Sequence, residues 1–370
     1  MIFLPLLVVL QPSAPAQFDQ VPFDVGGQPY AIESGRFGPS PGDGLAIVVR
    51  RDPSQEFPFG VTLFGTVAHA AGQLRMTYRE MPDWQPYSGM LRSGDFNDDG
   101  VTDLALDAKA QDFSYSRGVY LGQGNLSFKF NGNVTDLGGN VRDFEFTDLD
   151  GDGVLDAVVH VDDFGTNFLD CSYADPDRLF AGWSSMSTWV AASEHAFTYD
   201  IDFAYLTPDD RNWSLSATTQ GLFRIPIPTP LGWGDGEQIL EDACVRIHSA
   251  DFDGLNGVDL VVSARDADEV IVLLNDGTGD FLPPARYATG KAPGALATAD
   301  WNGDGFPDLA VCNSEDESVS VFSSDGQGGF APPEVFVVGP DPHDLAGGTS
   351  TRTAWSTWPS RCATGASSSF

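Results

Sequence analysis

The chain is poor in positive charge. Lys and Arg number 19 against 53 Asp and Glu, a formal net charge of −34 over 370 residues. Affinity for a phosphate backbone comes mainly from Lys and Arg displacing counterions, so this balance argues against a nucleic-acid partner. It equally argues against docking on an anionic membrane surface. Long apolar runs are absent: the longest, Ile2 to Leu10, is too short to span a bilayer, and no transmembrane segment is expected. With Ala14-Pro15-Ala16 after it, that run has the shape of a signal peptide, although no Lys or Arg precedes it. Residues 1–16 are therefore set aside as a leader, which makes the protein secreted, extracellular or periplasmic. The four cysteines (171, 244, 312, 362) form no CxxC and no zinc spacing. In an oxidising compartment Cys171 and Cys244 could pair. Five scattered histidines make no HExxH, and no nucleophile elbow, P-loop or dinucleotide fingerprint occurs.

What the chain has is turns and a repeat. Gly (41) and Pro (25) are abundant, while 26 Phe and an apolar fraction of 42% suffice for a sizeable core. Four segments share one pattern, D-x-[DN]-x-D-G-x-x-D followed by an apolar run: Asp95–Asp103, Asp148–Asp156, Asp251–Asp259 and Asp300–Asp308. The second position is always large and apolar, namely Phe96, Leu149, Phe252 and Trp301. Phe37 and Leu206 continue the series without the carboxylates, so the anchors fall at 37, 96, 149, 206, 252 and 301. Between loops lie β-rich runs such as Glu269–Leu274 and Ser318–Phe322, each leading into an Asp-Gly turn at 275–279 or 324–328. About four strands per repeat of roughly 50 residues is the pattern of propeller blades, so the fold class is all-β over 17–348.

The loops concentrate hard oxygen ligands around one point. Asp95, Asn97, Asp99 and Asp103 supply side-chain oxygens, and Val101 is expected to add its carbonyl. The equivalent sets are Asp148, Asp150, Asp152, Val154 and Asp156, and Asp300, Asn302, Asp304, Phe306 and Asp308. Oxygen donors without His or Cys select Ca²⁺ over zinc or copper. An EF-hand would need Glu at position 12, where Leu106, Val159 and Val311 stand, and is rejected. The Asp251, Asp253, Asp259 loop is weaker, because Leu255 and Asn256 occupy positions 5 and 6. Three calcium sites are expected, with the fourth doubtful.

These loops and their spacing resemble the FG-GAP or VCBS-type repeats of bacterial secreted proteins, similar to the N-terminal β-propeller of integrin α chains. The resemblance is close over 240–345, clear at 94–160, and thin at 17–90 and 165–240. It implies a seven-bladed β-propeller whose calcium loops connect strands and stiffen the rim, and it implies no particular activity. No catalytic set is assigned. The expected function is a non-catalytic binding or adhesion module for an extracellular protein or glycan. The alternative is a polysaccharide-active enzyme, lyase-like, on the same scaffold, which would need a basic residue beside an acidic sugar. The aromatic stretch from Phe180 to Trp189 is expected to pack between blades rather than to platform a sugar.

Thr349 to Phe370 breaks the pattern, containing no acid at all. Codons for residues 349–360, read one nucleotide back, permit Asp-Leu-Asp-Glu-Asp-Gly-Val-Val-Asp-Leu-Ala-Val, a complete copy of the motif in register. The tail is thus expected to be an out-of-frame remnant of the seventh blade, leaving the ring open near residue 348.

Overall fold

The computed structural model describes residues 6–14, 17–24, 28–37, 44–50, 59–70, 73–81, 86–97, 99–109, 115–133, 140–149, 154–163, 166–172, 174, 185–189, 198–206, 212–226, 236–255, 257–339, 342–347 and 361–364. Among them, the strands form seven four-stranded antiparallel sheets. The first sheet is Gln28–Gly35, Gly44–Arg50, Phe59–Ala70 and Gln73–Met81. The second and third begin with Pro86–Gly94 and Asn140–Thr147, and the fourth with Thr198–Tyr205. The fifth is Arg246–Ala250, Asp259–Ala264, Glu269–Leu273 and Ala285–Ala288. The sixth is Pro293–Ala299, Asp308–Asn313, Ser318–Phe322 and Glu334–Val337. Within these six sheets, strands pair in chain order. The opening strand of each sheet lies against that of the next, and Pro342–Ala346 returns to Gln28–Gly35, so the sheets close a ring.

Two faces of each middle strand must be covered, because sheets stack on both sides. Asp259–Ala264, Asp308–Asn313 and Ser318–Phe322 are buried at every residue, the near-continuous apolar run expected of such strands. The core lies in the gaps between neighbouring sheets. Phe252, Val261, Val272, Leu309, Val311 and Phe322 fill the fifth-to-sixth gap. Leu206, Leu215, Leu260 and Val262 fill the fourth-to-fifth gap. The expected anchors sit there: Phe37, Phe96, Leu206, Phe252 and Trp301 are all buried, and Leu149 half-buried. Phe37 and Leu206 hold the anchor position although their loops lack the acids. The Asp-Gly turns also form as expected. Asp276 N–H donates to the Asp280 carbonyl and Asp325 N–H to that of Gly329, with Gly277 and Gly326 at φ 87° and 70°.

Both chain ends differ from expectation. Leu6–Ala14, set aside as a leader, is a strand pairing with Gln17–Asp24 and with Arg361–Thr364. Arg361–Thr364, inside the tail expected to be lost, pairs on its other side with Pro342–Ala346. The closing sheet is therefore built from both ends of the chain and the ring is not open at 348. The physical reason is edge pairing: without 361–364, the backbones of 6–14 and 342–346 would face each other unpaired. Residues 349–360 lie outside the described set. Cys244 is buried and carries a free thiol. Its Sγ donates to the Asp242 carbonyl, and burial pushes the thiol up to about 12.

Candidate functional site

Each acidic loop joins the first and second strands of a sheet, so the ring presents all of them on one face. The last Asp of each loop begins the second strand and is buried: Asp103, Asp156, Asp259 and Asp308 are at most 1% exposed. Its two carboxylate oxygens accept backbone amides from different places. Asp259 Oδ2 takes Phe252 N–H at 2.8 Å, and Oδ1 takes Asn275 N–H at 2.8 Å, beyond the end of the third strand. Asp103 does the same with Phe96 (2.8 Å) and Gly122 (2.7 Å). Asp156 holds Leu149 (2.8 Å) and Ala174 (2.7 Å). Asp308 holds Trp301 (3.1 Å), Asn302 (3.2 Å) and Ser324 (2.9 Å). The closing Asp thus clamps the loop entrance to the far end of the sheet. Burial pushes Asp103, Asp259 and Asp308 up to about 6, against amides that pull them down.

The first Asp shapes the turn. Asp300 Oδ1 accepts from Gly303 (2.7 Å) and Asp304 (3.1 Å), and Oδ2 from Gly305 (3.0 Å). Asp95 likewise accepts from Asp99 (3.0 Å) and Gly100 (2.7 Å). Gly100 and Gly305, at position 6, have φ of 76° and 96°, which a side chain would strain. Asp99 and Asp304 cap the amides of Val101 and Phe306 at 2.9 Å. Asn97 and Asn302 donate to those same acids, at 3.0 and 2.8 Å. Asp148 and Val154 are half-buried, while Asp150 and Asp152 lie outside the described residues. In the loop ranked weakest by sequence, ligand oxygens of Asp251, Asp253 and Asp259 all lie within 4.8 Å of one another. Leu255, standing where an acid is missing, is 61% exposed. A carboxylate oxygen that accepts one amide keeps a second lone pair. Such a set of hard oxygens fits a calcium-type cation.

Fold and loop geometry agree with the comparisons. Residues 251–311 match the family described as an FG-GAP-like repeat. That segment carries an FG-GAP-like repeat. A lectin of Agrocybe aegerita, described as specifically recognising non-reducing terminal N-acetylglucosamine, matches with a TM-score of 0.60. That match covers 90% of this chain and 89% of the lectin at 17% identity. BBS1N, solved in complex with ARL6DN, matches with a TM-score of 0.56 at 12% identity, covering 96% and 97%. At these identities the likeness is one of fold, a β-propeller. No curated protein matches. No helix among the described residues is long and apolar enough to cross a membrane.

The repeat frame also exposes charges that motif reading missed. Three residues before five of the loops stand Glu33, Arg92, Glu145, Asp202 and His248, whereas Ala297 precedes the Asp300 loop; five before four of them stand Asp143, Asp200, Arg246 and Asp344. Both sets lie on the opening strands, which face one another around the ring. Aligning the repeats on their loops and reading backwards would have revealed them. The 180–184 part of the aromatic stretch lies outside the described residues.

Proposed function

We propose that this FG-GAP protein is a secreted, calcium-stabilised, seven-bladed propeller acting as a non-catalytic binding or adhesion module. The observation that carries the metal half is the convergence of Asp251, Asp253 and Asp259 oxygens within 4.8 Å at the repeat's loop position. Calcium there would be held by those three, and in the other loops by Asp95, Asn97, Asp99 and Asp103, by Asp148, Asp150, Asp152 and Asp156, and by Asp300, Asn302, Asp304 and Asp308, with Val101, Val154 and Phe306 offering carbonyls. The ion would neutralise carboxylates that otherwise repel across a short turn. An extracellular setting would supply millimolar-range calcium sites with their ion.

A glycan is the favoured partner class, since a propeller of this fold in Agrocybe aegerita is a lectin. The lyase-like alternative wants a free basic residue. Arg92, Arg224 and Arg286 are instead each held in ion pairs with carboxylates. The test is melting with calcium and with chelator, followed by a glycan array in both buffers. Native-state binding at 100-fold excess over Kd adds roughly 2.7 kcal/mol per site. An unchanged melting temperature refutes the metal half. An array silent in both buffers refutes the glycan, and unsaturated products from acidic polysaccharides would establish the enzyme instead.

A further inference from the structure

Two of the acidic loops touch each other across a seam of the ring. The Phe306 side chain, at position 7 of the 300–308 loop, lies against Gly254, at position 4 of the 251–259 loop in the preceding sheet. A methyl carbon built on Gly254 would stand 3.4 Å from Phe306 Cε1. The opposite edge of the same ring lies against Gly326, in the turn between the third and fourth strands of its own sheet. There a methyl carbon would stand only 2.6 Å from Phe306 Cε2, so the ring fills space that a side chain at 326 would take. Phe306 is half-buried in this cradle.

Each end of the contact is tied to a candidate ligand. Gly254 N–H donates to Asp251 Oδ1 at 2.7 Å. Phe306 N–H donates to Asp304 Oδ1 at 2.9 Å, and its carbonyl is the expected backbone ligand. Gly326 N–H donates to Ser324 Oγ at 3.1 Å, and Ser324 N–H to Asp308 Oδ1 at 2.9 Å. From Asp251 to Asp304 the path is two hydrogen bonds and one van der Waals contact. A second contact runs beneath it. Phe252, the anchor of the 251–259 loop, packs edge to face on Phe330 of the sixth sheet, with ring centroids 5.3 Å apart. Elsewhere the same loop positions behave differently. Val101, at position 7 of the 95–103 loop, lies against Gly122 and Gly124 of its own sheet. A methyl carbon on Gly303, at position 4, would meet nothing within 4 Å among the described residues.

The two touching loops are unequal. The 300–308 loop has its full set of side-chain donors, Asp300, Asn302, Asp304 and Asp308. The 251–259 loop has Leu255 where an acid would stand, so fewer ligand contacts offset the entropy of ordering it. Building on calcium in these loops, we propose that the two bind the ion as a coupled pair, with the Phe306 ring carrying the coupling. With the 300–308 loop occupied, Phe306 is held through its carbonyl and through Asp304. The held ring restrains Gly254, and with it Asp251, in the weaker loop. Order already imposed at one site need not be imposed again at the other, which is positive coupling without a large change of shape. Coupling of this kind is reciprocal, so each loop raises the affinity of the other by the same factor.

The experiment is amide hydrogen exchange read by mass spectrometry along a calcium titration at pH 7.5, with each loop followed in its own peptide. Wild type should gain protection at 95–103, 251–259 and 300–308, each with its own midpoint. Asp304→Ala should move the 251–259 midpoint to about fivefold higher calcium or more. Asp253→Ala should move the 300–308 midpoint by the same factor. Phe306→Val keeps the carbonyl, removes the ring and installs the residue found at position 7 of two sister loops. It should move the 251–259 midpoint as far as Asp304→Ala does, while Asp99→Ala should leave that midpoint in place. A 251–259 midpoint unmoved by Asp304→Ala or by Phe306→Val overturns the proposal. An equal shift in Asp99→Ala also overturns it, since that would indicate general repulsion. Should Phe306→Val fail to fold, the pair Asp304→Ala and Asp253→Ala decides, and the absence of either shift overturns the coupling. Protection at all three loops with independent midpoints sinks the coupling and leaves the metal reading standing. No protection at any loop means that the metal reading itself has failed, and the coupling with it.

Discussion

Replacing Asp259 by Ala separates the clamp from the proposed calcium site. The side chain is fully buried, and its two oxygens receive Phe252 and Asn275 amides at 2.8 Å. Deleting them leaves two buried N–H groups unpaired, each worth about 1–3 kcal/mol, or roughly 2–6 kcal/mol together. Against this, the carboxyl is raised from 3.8 to about 6 by burial, so its ionised form already costs about 3 kcal/mol at neutral pH, from roughly 1.4 kcal/mol per pKa unit. The net loss expected in chelator is therefore at most about 3 kcal/mol at pH 8, and larger at pH 5, where the wild-type group is protonated. At about 2 °C per kcal/mol the melting temperature should fall by at most about 6 °C at pH 8. Asp253→Ala is the contrast: its Oδ1 caps only Leu255 N–H at 2.7 Å in an exposed turn. It should cost under about 1 kcal/mol in chelator and abolish that loop's calcium increment. A loss greater at pH 8 than at pH 5, or no loss at pH 5, would refute the clamp.

Other expectations follow from the same contacts. Asp304→Ala should lower the calcium stoichiometry by one in isothermal titration while leaving the chelated melt nearly unchanged. Calcium affinity should fall as pH drops through about 6, because Asp103, Asp259 and Asp308 must lose a proton to bind the ion; affinity measured at pH 5 and 7.5 checks this. Arg224→Ala should destabilise by about 2 kcal/mol in denaturant melts. That side chain, 7% exposed, donates to the Gly279 carbonyl, pairs with Glu237 (2.8 Å) and Asp280 (2.7 Å), and lies 5.1 Å over Trp213.

The sequence by itself determined the repeat, its phase and the chemistry of the loops. The reason is locality: an apolar anchor, a Gly that allows positive φ and an Asp that starts the next strand all act within nine residues. Hence Phe37 and Leu206 could be placed in loops that lack the acids, and both are buried where expected. Tertiary structure decided what depends on partners far along the chain. The closing Asp was readable as a ligand, but its hold on an amide 16 to 19 residues on, at Asn275, Ser324, Ala174 or Gly122, needs the third strand folded beside it. Contacts between opening strands join residues about 50 apart, as at Arg92 and Asp143 or Ile247 and Asp200, and more than 300 apart at Ile32 and Asp344, so only ring closure brings them together. Leu6–Ala14 carries the composition of a leader, and pairing with a segment some 350 residues away is what makes it a strand. Apolar character is a property of the segment, whereas the edge it covers belongs to the ring.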